Sequence, residues 1–254
     1  MKIRLLMPLI EPDGFLHFSI SALINDEVAI DAGGLGYLTP MKAQRKVQHL
    51  LLTHSHIDHI ASLPVFLDNV YTLGPECPTI LASQATWDCL EQDIFNDRVW
   101  PNLRRISSEQ SPFYRQQIIK PGDQLELAGL KVTPLALEHA VPTLGFIVQD
   151  ENAAVLFAWD TAPLDNFEQI VRAIPNLKAI FIECSFPNSM QWLADNSKHL
   201  CPSELGAMAL RIPRDIRLIA VHLKPAYHQE LINDLGDMNL ENIEVADRNM
   251  EYVF

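Results

Sequence analysis

The chain has 254 residues, 48% of them hydrophobic and 20% charged, and a formal net charge of −13. That size and balance suit a soluble globular protein with a sizeable buried core, read as one domain over 1–254, and they exclude a disordered chain. The acidic excess argues against a broad nucleic-acid or anionic-membrane surface, because both partners are polyanions that need a basic footprint; a bound metal or a local positive pocket can still accept one anionic group.

The start, MKIRLLMPLIEP, has too few apolar residues for a signal-peptide core and reads as an edge strand. No apolar run approaches the ~20 residues that span a bilayer. FSISALI (18–24) and VAIDAGG (28–34) read as paired strands ending in a glycine turn, since Gly33, Gly34 and Gly36 fit neither the phosphate-loop nor the dinucleotide pattern. VQHLLLT (47–53) reads as a further strand. QATWDCLEQDIFND (84–97) carries apolar positions at helical spacing, and WPNLRRISSEQSP after it reads as a loop.

Strands dominate next: DQLELAGLKVTPLALEH holds a hairpin around Ala128 and Gly129, followed by LGFIVQD and AAVLFAWD. From Asp165 onward helix and strand alternate, with KAIFIECS and RLIAVHL as buried strands and PSELGAMALRI as a helix between them. These proportions suit an α/β protein with two sheets face to face and helices outside. Cys77, Cys89, Cys184 and Cys201 have no zinc-like spacing and are too few for a disulfide scaffold, so a reducing cytoplasm is their simplest home.

The stretch LLLTHSHIDHIASLP (50–64) ends an apolar run in His54, His56, Asp58 and His59. Other polar groups also follow apolar strands directly: His139, Asp160, Glu183 and His222. Strand ends are where a rigid scaffold delivers side chains to one rim. In an extended segment residues two apart point the same way, so His54 and His56 can grip one metal while Asp58 and His59, at the turn into a helix, face a second. His139 completes the first set, His222 the second, and the two oxygens of Asp160 bridge both, leaving each ion an open position for water. His17, His49 and His228, outside this pattern, read as ordinary core histidines.

HSHIDHIA resembles the H-x-H-x-D-H signature of the metallo-β-lactamase superfamily, with His139, Asp160 and His222 in that superfamily's order. The resemblance covers nearly the whole chain and implies a four-layer αβ/βα sandwich with a binuclear, usually zinc, centre, with Mn2+ or Fe2+ as alternatives. HSHIDHIASLPVFLDNVY, EHAVPTLGF, WDTAP, IFIECSFPN, KHLCPSEL and VHLKP together resemble the class II 3',5'-cyclic-nucleotide phosphodiesterases, particularly their bacterial members. This implies hydrolysis of cAMP or cGMP to the 5'-monophosphate by a hydroxide shared between two ions. It also implies His199 as general acid with Glu183 as its orienting partner, Asp58 within the catalytic set, and Thr143 and Lys224 as phosphate contacts. Phe66, Trp100, Phe113 and Phe186 include candidate base-stacking partners, with core packing the better reading of each. Trp159 departs from the family pattern, which has glycine there, and a bulky indole beside Asp160 is expected to alter the pocket or the metal spacing.

A tRNA 3'-processing endonuclease of the same superfamily is the nearest rival, but the charge of −13 and the lack of a basic arm speak against it. A secreted β-lactamase would want a signal peptide. A lactone or thioester hydrolase remains open, as activated water also attacks carbonyl carbon. In a di-iron redox or metal-binding protein one of the first two histidines is commonly a carboxylate and a flavin-binding domain follows, whereas here both are histidine and the chain stops at Phe254. The expected partner is a small phosphodiester, with no stable nucleic-acid or membrane partner; a homodimer is left open.

Overall fold

A computed structural model describes residues 1–6, 9–10, 14–15, 19–247 and 250–254. Its strands, in chain order, are β1 (Lys2–Leu6), β2 (Leu9–Ile10), β3 (Gly14–Phe15), β4 (Ser21–Ile24), β5 (Val28–Ile30), β6 (His49–Leu51), β7 (Thr79–Ala82) and β8 (Arg115–Ile118). They continue as β9 (Leu125–Leu127), β10 (Leu130–Leu137), β11 (Thr143–Gln149), β12 (Ala154–Ala158), β13 (Leu177–Glu183), β14 (Arg217–Val221), β15 (Ile243–Val245) and β16 (Glu251–Val253). One seven-stranded sheet has the order β16-β1-β4-β5-β6-β7-β8 and the other β15-β14-β13-β12-β11-β10-β9, with β2 and β3 a separate hairpin.

Each large sheet is antiparallel on one side and parallel on the other. In the first, β5 to β8 run parallel; in the second, β12 to β15 do. Parallel strands are covered on both faces, which is why their sequences read as continuous apolar runs. Alternate residues then enter different cores. Val155, Phe157, Ala179 and Phe181 point into the layer between the sheets with Ile3, Ile24, Ile30 and Tyr252. Leu156, Ala158, Ile180 and Ile182 face the opposite way, against Phe167, Leu205, Met208 and Leu231 of the covering helices. On the first sheet, Leu23, Ala29, Leu50 and Ile80 face Leu63, Phe66, Leu67 and Trp87. Three cores between four layers make the αβ/βα sandwich that the sequence leads one to expect.

Three local expectations change. The first strand is not at an edge, because β16 pairs antiparallel outside it, Ile3 opposite Tyr252. The helix expected over 84–97 is an α-helix only at Gln84–Cys89, started by the Ser83 hydroxyl accepting from the Thr86 N–H at 3.2 Å, and it widens into a π turn over Leu90–Ile94. The loop after it holds one helical turn, Leu103–Ile106, which the Asn102 side chain caps by accepting from Arg105 N at 2.9 Å. The hairpin around Ala128 and Gly129 forms as expected, with φ of 49° and 79°. Among the described residues no helix is long and apolar enough to cross a membrane.

Candidate metal centre

Strand ends from both sheets meet on one rim. β5 leads into Asp31, β6 into Thr53 and His54, β10 into His139, β12 into Asp160 and β14 into His222, while β13 ends in Glu183. Asp31, Asp160 and His222 have φ of 56°, 53° and 60°. That left-handed region costs a non-glycine residue roughly 1 to 3 kcal/mol and persists only where the surroundings enforce it, a pattern concentrated at functional sites.

Asp160 is the centre of the arrangement. Its Oδ2 lies 3.6 Å from His54 Nε2 and 3.6 Å from His139 Nε2, and its Oδ1 lies 3.4 Å from His59 Nε2 and 3.5 Å from His222 Nε2. His56 Nδ1 is 3.2 Å from His139 Nε2, and Asp58 Oδ2 is 3.1 Å from His222 Nε2. Potential ligand atoms of His54, His56, His139 and Asp160 all lie within 4.8 Å of one another, and so do those of Asp58, His59 and His222. These are the two sets read from the strand ends, and each oxygen of Asp160 faces one of them.

The donor set fits divalent metal. His54 Nε2, His59 Nε2 and Asp160 Oδ1 are buried without a hydrogen-bond partner, a costly state for polar atoms unless a cation meets them. The opposite ring nitrogens are already held: His54 Nδ1 by the Thr53 hydroxyl at 2.9 Å, His59 Nδ1 by Asp31 at 2.6 Å, His139 Nδ1 by the Lys198 carbonyl at 3.0 Å and His222 Nδ1 by the Ser185 hydroxyl at 3.0 Å. Such outer contacts fix the tautomer and turn the free lone pair toward the metal. Burial, with neighbouring imidazoles, lowers the pKa of His54 and His56, and burial lowers that of His139, which favours the neutral form that a metal ligand needs. Burial alone would raise Asp160, but His222, His59 and His54 hold it well below the usual carboxylate range. Burial likewise opposes a charge on His59, yet the carboxylates of Asp160 and Asp31 raise it well above its ordinary value.

Beside the cluster, Glu183 is fully buried and accepts from His199 Nδ1 at 2.8 and 2.9 Å on its two oxygens, from Thr161 N at 2.6 Å and from Leu200 N at 3.3 Å. Burial depresses the His199 imidazole, but the charge and hydrogen bond of Glu183, with the charge of Asp160, outweigh it and raise its pKa. A ring nitrogen of His199 lies within 4.8 Å of ligand atoms of Asp160 and His222. Lys224 Nζ lies 3.9 Å from Asp58 Oδ2. Thr143 opens β11 and donates its hydroxyl to the Val141 carbonyl at 2.9 Å, so a phosphate would have to compete with that acceptor.

Trp159 is fully buried in the layer between the sheets, its ring 5.7 Å from that of Phe157. Strand alternation sends it into the sandwich, whereas the left-handed bend at Asp160 turns the next side chain out to the rim; the indole therefore belongs to the core and not to the ligand set. The ring of Phe186 lies 5.6 Å from that of His199, while Phe66, Trp100 and Phe113 pack in the first sheet's outer layer. His49 and His228 are half-buried and join neither ligand set, and His17 lies outside the described residues. Sequence reasoning missed Asp31, Thr53 and Ser185. Asp31 carried the same signal as the ligands, a polar residue closing an apolar strand.

A relative described as a probable 3',5'-cyclic-nucleotide phosphodiesterase from Yersinia pestis is 26% identical over 240 residues, covering 84% of this chain and 65% of its own length. The crystal structure of unliganded yeast PDE1 superposes with a TM-score of 0.75 at 17% identity, covering 96% of each chain. Human tRNase Z, short form, gives 0.68 at 14% identity, covering 100% of this chain and 99% of that one, so these two likenesses concern the fold. The family described as beta-lactamase superfamily domain matches residues 30–223, a span that runs from the last residue of β5 past His222 and contains every proposed ligand; the chain belongs to this superfamily.

Proposed function

We propose that the chain is a binuclear metal-dependent phosphodiesterase that opens 3',5'-cyclic nucleotides, cAMP or cGMP, to 5'-monophosphates. The observation that carries this reading is the shared carboxylate of Asp160 between two ligand sets, with the Glu183–His199 pair held beside it. The phosphodiesterase-like motifs and the name of the Yersinia relative point to the same substrate. When bound, two divalent ions lower the pKa of coordinated water from ~16 toward ~7 and neutralise charge on the phosphate. Zinc suits a site rich in imidazole nitrogen, with Mn2+ or Fe2+ as alternatives.

The chain's own groups do the rest. Opening the ring forms a bond from water oxygen to phosphorus and breaks the bond from phosphorus to the 3' oxygen, which leaves as an alkoxide and needs a proton. His199 supplies it: Glu183 holds Nδ1, which fixes Nε2 as the donating nitrogen and favours the protonated ring. Asp58 serves the second ion's set, Lys224 places a cation beside it for the phosphate, and Thr143 shapes the adjoining turn. The acidic surface, −13 over the chain, favours a small anion over a long polyanion. Four free thiols suit a reducing compartment such as the cytoplasm.

The test is kcat/KM for cAMP, cGMP, a precursor tRNA and a simple lactone on one metal-loaded preparation, with elemental analysis of the same sample. Efficient cyclic-nucleotide turnover is expected. Turnover of the tRNA or lactone with negligible cyclic-nucleotide hydrolysis would reject the reading.

A further inference from the structure

Ser185 lies two residues past Glu183, in the stretch IFIECSFPN, and is fully buried. Its Oγ is 2.7 Å from Glu183 Oε2, 3.0 Å from His222 Nδ1 and 3.2 Å from the His222 carbonyl. A hydroxyl has one proton to donate. If His222 turns its Nε2 lone pair to a metal, Nδ1 carries the ring proton and must donate it, and Ser185 Oγ is the acceptor within reach. The serine proton then goes to the carboxylate, the shorter and charged contact. The chain of donors therefore runs one way, from His222 Nδ1–H to Ser185 Oγ and from Ser185 O–H to Glu183 Oε2.

Glu183 is thus the terminus for two imidazoles. It receives His199 directly and His222 through the serine, while Thr161 N–H, one residue past Asp160, fills a further position on Oε1. The register places Glu183 opposite Val221 in the parallel β13–β14 pair, which brings His222 alongside it without any flexible loop.

We propose that Ser185 is a positioning residue: it locks His222 in the tautomer that binds metal through Nε2 and ties the second ion's ligand set to the carboxylate that holds His199. This rests on the binuclear reading of the site but not on the identity of the substrate. Ser185→Ala removes the only hydroxyl in that chain and leaves His222 Nδ1 facing an apolar group.

Two measurements test it. In the unsubstituted, zinc-loaded protein, nitrogen-15 NMR of the histidines should find His222 protonated at Nδ1 and metal-bound at Nε2; binding through Nδ1 would overturn the proposal without any variant. Chelator competition with zinc should then resolve two binding steps. Ser185→Ala is expected to weaken the step assigned to Asp58, His59 and His222 by about 10- to 100-fold, the range for lost outer contacts, and the step assigned to His54, His56 and His139 by less than about threefold. Ser185→Thr, which keeps the hydroxyl, should restore the weaker step. Equal weakening of both steps, or none, would reject the assignment. If cyclic nucleotides prove not to be substrates while these affinities behave as stated, the proposed substrate fails and the role of Ser185 stands.

Discussion

Asp31 accepts a hydrogen bond from His59 across 2.6 Å, although 28 residues separate them in the chain. The same carboxylate accepts from Thr53 N at 2.8 Å and from the Thr53 hydroxyl at 2.7 Å, and that hydroxyl in turn meets His54 Nδ1 at 2.9 Å. One buried acid therefore orients a ligand from each of the two sets. Asp31→Asn is expected to lower affinity for both ions by about 10-fold or more. Chelator competition reads this directly, and affinities equal to those of the unsubstituted protein would mean that the ligand geometry holds without it.

Asp160→Ala removes the carboxylate that faces both sets, so metal content should fall from about two ions per chain to less than one, whereas His222→Ala should spare the first ion. Elemental analysis of the dialysed proteins decides the point. A fully active enzyme that saturates at one ion would refute the shared-carboxylate arrangement.

His199→Ala should slow cyclic-nucleotide turnover by about 10² to 10⁴ with metal content unchanged, the range for losing a general acid. A p-nitrophenyl phosphodiester should suffer less, because its leaving group departs without a proton. Loss of metal from this variant would make His199 a ligand instead.

Gly33 sits where a Cβ would come within 2.1 Å of the Asp58 carbonyl oxygen and 2.4 Å of the Ser19 carbonyl carbon. Both are backbone atoms, so the metal-binding turn itself would have to give way. Gly33→Ala should destabilise the fold by about 1 to 3 kcal/mol, as overpacking does. Urea unfolding of the metal-free protein measures it, and an unchanged midpoint would show that the turn yields freely.

The Tyr114 hydroxyl, through burial and the charge of Glu91, is pushed up to about 12 from an ordinary 10.0, and the Cys201 thiol, through burial and Glu204, to about 12 from 9.0. Raised values in the folded state mean that both groups favour folding below their unfolded values. That contribution is lost as pH rises from about 9 toward 12, where only the unfolded chain ionises them readily. The urea midpoint should therefore fall between pH 8 and pH 10.5, and the fall should shrink in Tyr114→Phe.

The candidate ligands stood out in the sequence because His54, His56, His139, Asp160 and His222 closely follow apolar strands while Asp58 and His59 open the helix after one of them, and the alternation of strand residues puts His54 and His56 on one side. The same logic made both sheets visible as buried runs. What stayed hidden was non-local. The position of β1 inside its sheet depends on pairing with β16 from the far end of the chain, which no spacing announces. Asp31 meets Thr53 and His59 only when β5 pairs with β6, and Ser185 meets His222 only when β13 pairs with β14, so the spacing along the chain did not announce either contact. Trp159 lies away from the candidate ligands for a simpler reason: alternation sends its indole into the sandwich with Val155 and Phe157, and the left-handed backbone at Asp160 turns only that next side chain to the rim.

The ligands also divide by origin, His54, His56, Asp58 and His59 following β6 of the first sheet, and His139, Asp160 and His222 following strands of the second. Metal held between these two groups would be a clasp as well as a reactive centre. Prising the sandwich open at that rim would then mean breaking coordinate bonds, while the interior below it is held by apolar packing between residues such as Ile30 and Phe157. With ions loaded, the sheets would part first along the margin farthest from Asp160, and stripping the metal would move that weak seam to the mouth of the site itself.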